Sequence, residues 1–164
     1  MKKIILLVLL SHFSFSQIIQ IGSDIDGEAT NDQSGQSVSL SSNGSIVAIG
    51  APFNDANGNN NSGHVRVYEW DSGNSSWIQK GNDIDGEATD DQSGRSVSLS
   101  SDGTIVAIGA HRHNANGSNF GHVRVYKWNG SSWVQRGNDI DGEAAEDFSG
   151  YSVSLSSDGT IVAI

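Results

Sequence analysis

The chain repeats itself. Residues 22–51 and 81–110 differ only by Ser23 for Asn82, Asn31 for Asp90, Gln36 for Arg95, Asn43 for Asp102 and Ser45 for Thr104. A third copy opens at residue 137, so the copies run over residues 22–80, 81–136 and 137–164. Repeats of this kind are supersecondary units that cannot bury their apolar faces alone and must stack on their neighbours. The length differences fall after Ala51 and after Trp70, as expected if insertions are confined to loops.

Each full copy reads as four strands. Residues 37–41 set Val38 and Leu40 against serines, the period-two pattern of a half-buried strand. Asn43-Gly44 then turns the chain. Residues 46–49 are continuously apolar, as a strand covered on both faces would be. Residues 63–70 alternate Val65 and Val67 with Arg66, Tyr68 and Trp70, and residues 77–80 follow a turn cluster as a short last strand. The pattern predicts an all-β fold, a β-propeller built from tandem four-stranded antiparallel blades and cut off within its third blade. Its core would hold Val38, Leu40, Ile46, Val47, Ala48, Ile49, Val65, Val67 and their equivalents. Residues 17–22 line up with 77–81 and 133–137, glycine on glycine at the end, and residues 17–21 are expected to be a lone closing strand. An open β-solenoid is the alternative architecture.

Residues 1–16 read as a signal peptide. Lys2 and Lys3 precede an apolar run at residues 4–10 that is too short to span a bilayer, and Ser14 and Ser16 offer small residues before Gln17. The expected location is secreted or cell-surface, with no membrane insertion once the leader is cleaved. A formal charge of −10 repels phosphate backbones and anionic lipid, so nucleic acid is not expected among the partners. Without cysteine, this stretch has no disulfide scaffold, thiol nucleophile or cysteine zinc site.

The run Asp32-Gln33-Ser34-Gly35-Gln36-Ser37-Val38, with Ser42-Asn43-Gly44 and Val47-Ala48-Ile49-Gly50-Ala51-Pro52, resembles the FG-GAP repeat. It recurs at Ser93-Gly94 with Gly109-Ala110-His111, and at Ser149-Gly150. The resemblance covers nearly all of the chain after the leader. It implies a propeller like that of integrin α-subunits, a fold also met in bacterial surface proteins. Ser34, Ser93 and Ser149 stand where that family has its Phe, although Phe148 lies one residue earlier in copy three. The family's calcium loop does not carry over, because Ser42-Asn43-Gly44-Ser45 and its equivalents are too short to wrap a cation.

Most acidic residues lie in the loop that opens each copy: Asp24, Asp26, Glu28 and Asp32, then Asp83, Asp85, Glu87 and Asp91, then Asp139, Asp141, Glu143 and Asp147. Converging carboxylates at such spacing make these twelve residues calcium candidates. Against this, the glycine comes early and Gly35 replaces a closing glutamate, so Asx-turn chemistry between blades is the competing reading. No other cofactor is expected. Paired carboxylates can hydrolyse glycosides, but the same set recurs in every copy, whereas an active site normally breaks repeat symmetry. His64 and His122 begin equivalent strands and read as structural. His111-x-His113 occurs in copy two only; the spacing can bind a transition metal, but an exposed variable loop is the expected setting. Trp70, Trp77, Trp128 and Trp133 are expected to pack between blades.

By strand parity, the acidic loops share one face with the variable loops at residues 52–62 and 111–120. A non-catalytic binding or adhesion module using that face is therefore expected, with an extracellular protein or glycan as partner. The alternatives are the propeller part of an extracellular hydrolase or lyase whose site lies beyond residue 164, and a structural spacer.

Overall fold

The computed structural model describes residues 19–114 and 118–164. The expected signal peptide, and residues 17 and 18 of the expected closing strand, lie outside these. Blade 1 orders β1 (Ser37–Leu40), β2 (Ile46–Ala51), β3 (His64–Asp71) and β4 (Ser76–Gln79) as consecutive antiparallel neighbours. A two-residue strand, β5 (Ile84–Asp85), also pairs with β3. Blade 2 repeats the plan with β6 (Ser93–Leu99), β7 (Ile105–Ala110), β8 (His122–Trp128) and β9 (Trp133–Gln135), and β10 (Ile140–Asp141) pairs with β8. The third copy contributes the hairpin β11 (Ser154–Leu155) and β12 (Val162–Ala163). Among the described residues the helical content is one 3-10 turn, Ala56–Gly58. The architecture is all-β, with antiparallel sheets stacked as propeller blades.

Stacking explains the continuously apolar strands. Ile46, Ala48, Val65 and Val67 of blade 1 pack on Val97, Leu99, Val106 and Ile108 of blade 2. From the opposite face of blade 2, Ile105, Ala107, Val123 and Val125 meet Val153, Leu155 and Val162 of the third copy. Each run therefore feeds two interfaces, as its lack of alternation requires. Gly50 and Gly109 sit where neighbouring blades come closest: a Cβ would stand 2.1 Å from the Gly94 carbonyl oxygen in one case and 1.9 Å from that of Gly150 in the other. Close backbone approach leaves room only for glycine, which accounts for the Gly-Ala pair ending each second strand.

One expectation needs correction. Val38 and Leu40 are 62% and 60% exposed, whereas their equivalents Val97 and Leu99 are 9% and 7% exposed. The serines between them face the next blade instead: the Ser37 hydroxyl donates to the Gly94 carbonyl at 2.8 Å, and Ser39 Oγ accepts from the Leu99 amide at 2.9 Å. The valine–leucine face belongs to the preceding blade, and none lies there for β1 among the described residues. Residues 19–21 lie unpaired, with Ile19 and Ile21 exposed.

The acidic loops are positioned by an edge left half covered. β4 pairs with Tyr68–Asp71 of β3 and then ends. The other end of β3 is paired by the next acidic loop, with Asp85 opposite His64 and Ile84 opposite Val65. In blade 2 the same geometry sets Asp141 opposite His122. The second and third acidic loops are thus shared by successive copies, which completes the edge of one sheet and brings carboxylates against a buried histidine.

Candidate functional site

The carboxylates of one loop are drawn apart, each by a different partner. The first of each set is held by a glutamine four residues earlier: Gln20 donates to Asp24 at 2.8 Å, Gln79 to Asp83 at 2.6 Å and Gln135 to Asp139 at 2.6 Å. The last of each set closes its own turn, accepting the amide three residues back. The distances are 3.1 Å from Ala29 to Asp32, 3.1 Å from Ala88 to Asp91 and 2.8 Å from Ala144 to Asp147. Each carboxylate reaches back to the amide that opens its own turn, as the acid of a capping box does. Asp26 offers its carbonyl to Arg66 at 2.7 Å. Among the described residues no single loop gathers its four carboxylates into one ligand group; Glu28 and Asp83 of successive loops share one, and Asp139 and Asp141 of a single loop share another. Glu143 lines an open groove with Asp141, Asp147, Phe148 and Tyr151.

At the first junction Glu28, His64 and Asp83 bring ligand atoms within 4.8 Å of one another. His64 Nδ1 lies 3.8 Å from Glu28 and 3.6 Å from Asp83. Burial holds the His64 pKa below its ordinary value, against the pull of Asp83 and Glu28. Asn54 donates to the buried Asp32 at 2.8 Å and to Glu28 at 3.4 Å, and Asn57 donates to Asp85 at 2.8 Å. With Asp55 these residues line a groove of about 430 Å³.

The second junction repeats the frame with different chemistry. Glu87, His113 and His122 form one such ligand group; His122, Asp139 and Asp141 form another. Arg124 grips Asp139 with two hydrogen bonds, 3.0 Å from Nε and 3.1 Å from Nη2, and also pairs with Glu87. Arg66, its counterpart, lies 3.7 Å from Glu28. Two carboxylate partners keep Arg124 firmly charged despite burial. His113 bonds the buried Asp91 through Nδ1 at 3.0 Å, and its ring lies 4.0 Å from that of His122. Burial, with smaller contributions from His113 and Arg124, lowers the His122 pKa to about 4, so this ring is neutral at physiological pH.

His111 and His113 are buried, not set in an exposed loop as the sequence suggested. Their rings part company, and the pair is not a chelate: His111 packs edge-on against Tyr151 at 5.3 Å, while His113 turns to Asp91 and His122. Of the four tryptophans, Trp133 packs on the core between blades 1 and 2, with Nε1 donating to the Lys80 carbonyl at 2.8 Å; Trp77 Nε1 donates to the Ile21 carbonyl at 3.3 Å, and Trp70 and Trp128 each pack on the second tryptophan of their own blade. Sequence reasoning missed Arg66 and Arg124 as organisers of the junction. The signal was there, a cation between two valines in both copies.

Stacked four-stranded sheets with a glycine at each closest approach define a propeller-blade repeat protein. The FG-GAP repeat profile matches residues 24–68 and 83–126, more than half of the chain. The chain belongs to the FG-GAP repeat family. Comparison with the curated proteins returns no match. Among the described residues no helix is long and apolar enough to cross a membrane.

Proposed function

We propose that this chain is a non-catalytic binding module of the cell surface or extracellular space, exported by the leader at residues 1–16. Its contact surface is the acidic face where the loops at residues 22–34, 52–62 and 81–92 meet. The observation that carries this reading is the 430 Å³ groove at the first junction, lined by Glu28, Asp32, Asn54, Asp55, Asp83 and Asp85. Carboxylates and amides on a rigid blade scaffold suit a hydroxyl-rich or cationic ligand, a glycan or a basic protein surface. Recurrence of the same carboxylates at each junction speaks against a single catalytic centre.

The test is binding of the purified chain to glycan arrays and to immobilised extracellular proteins, at low and high salt. Saturable binding should weaken with salt and fall at least tenfold in the triple variant Glu28→Gln, Asp83→Asn, Asp85→Asn with its fold intact. Binding unchanged by the triple substitution would refute the assignment of this face.

A further inference from the structure

The two junctions share a backbone. Asn54 and His113 occupy the same place: their amides donate to Ala51 and Ala110 at 3.2 and 3.1 Å, and their carbonyls accept from Gly63 and Gly121 at 2.9 and 3.0 Å. Only the side chain differs. An asparagine there donates its amide to carboxylates and closes a polar network. A histidine there brings a second imidazole against the one that both junctions already hold.

We propose that Glu87, His113 and His122 form a binding site for a divalent transition cation, with zinc the best match to the ligand types. Their ligand atoms lie within 4.8 Å of one another, close enough for small side-chain rotations to bring all three to about 2.0–2.2 Å from a common ion. Two imidazoles and one carboxylate suit zinc and its neighbours, while calcium and magnesium prefer oxygen alone. Asp91 supplies the outer support: it is fully buried and engages His113 Nδ1. That contact fixes the proton on Nδ1 and leaves Nε2 free, as a carboxylate does behind metal-bound histidines.

His122 supplies the independent observation. It is only 3% exposed, and its Nδ1 has no hydrogen-bond partner among the described residues. Its nearest carboxylate, on Asp139, is 3.6 Å away, beyond hydrogen-bond length. A buried polar atom without a partner is destabilising, and a metal-centred site gives this ring a purpose. Arg124 does not preclude it, because a carboxylate has two oxygens and the guanidinium needs one of those on Glu87. Asp139 and Asp141 add negative charge beside the three ligands. At the first junction the equivalent group has one histidine, His64, and Asn54 ties up Glu28.

Calorimetric titration of the full chain with zinc tests this. One saturable site per chain is expected, with no comparable site for calcium. The site should weaken at least tenfold in His113→Asn, which installs the residue that the first junction already carries, and in Glu87→Gln, a change at an exposed position. His111→Asn should keep it. Circular dichroism without metal identifies any variant that fails to fold, and the remaining one then decides. Zinc bound equally by wild type, His113→Asn and Glu87→Gln would overturn the site, as would no saturable zinc binding. Ligand capture at the first-junction groove is a separate property, and either result leaves it in place.

Discussion

At the first junction a buried histidine faces two carboxylates, and an asparagine closes the network by hydrogen bonds. At the second, the same histidine, arginine and carboxylates surround a second imidazole. The β-ladders, the glycine contacts and the turn amides are alike on both sides. The comparison teaches that a duplicated blade keeps its frame through backbone geometry and small residues, while chemistry changes at single positions in the loop between the second and third strands. Such a loop is free to vary because its backbone bonds are satisfied by the neighbouring acidic loop. Gln92 and Ser93 amides donate to Asn61 and Ser62 carbonyls at 3.1 and 2.9 Å, for example.

The largest contrast lies between the first strands. Val97→Ser with Leu99→Ser should cost about 4 kcal/mol, since each removes a side chain buried between blades. Val38→Ser with Leu40→Ser should cost less than about 1 kcal/mol, because both are already open to solvent. Equal losses in urea unfolding would mean that β1 is covered after all.

Next comes pH, where the second junction has a group that the first lacks. His111, opposite the third copy, stands where the first copy has Pro52. Its pKa is lowered to about 4 by burial and by Arg95 and Arg112, with Phe148 and Tyr151 packed against it. A depressed histidine pKa leaves stability complete above the unfolded value near 6.5 and removes it as pH falls toward 4, because the unfolded chain takes up the proton first. The loss from this residue should reach about 3 kcal/mol in metal-free protein. His111→Leu should flatten that part of the pH–stability curve, and an unchanged slope would show that the ring is solvated.

The arginines give a smaller difference. Arg124→Ala abandons Glu87 and a doubly bonded Asp139 and should cost about 2 kcal/mol, discounted because both acids are partly exposed. Arg66→Ala gives up one carbonyl bond and a longer ion pair, for about 1 kcal/mol. The reverse order in thermal melts would contradict the geometry at both junctions.

Strands and turns were legible in the sequence because period-two runs and Asn-Gly or Asp-Gly punctuation report local backbone preference. The face of β1 was not. Val38 and Leu40 alternate like any half-buried strand, but which half is buried depends on where the neighbouring blade lies. The site was legible in part. The acidic loops stood out as the most distinctive element, but the contacts that matter join residues far apart in the chain, such as Asp91 with His113 and Glu87 with Arg124. Nothing local to Asp91 signals that a histidine 22 residues later will turn inward. Burial of His113 follows from the acidic loop filling the uncovered end of β8, which no window of sequence displays.

The most direct test of the claim that one side chain separates the junctions is to convert the first into the second. Calorimetric zinc titration of Asn54→His should raise the stoichiometry from one to two per chain, with Glu28, His64 and the new imidazole as ligands. A stoichiometry that stays at one, in a variant whose circular dichroism matches wild type, would contradict the account.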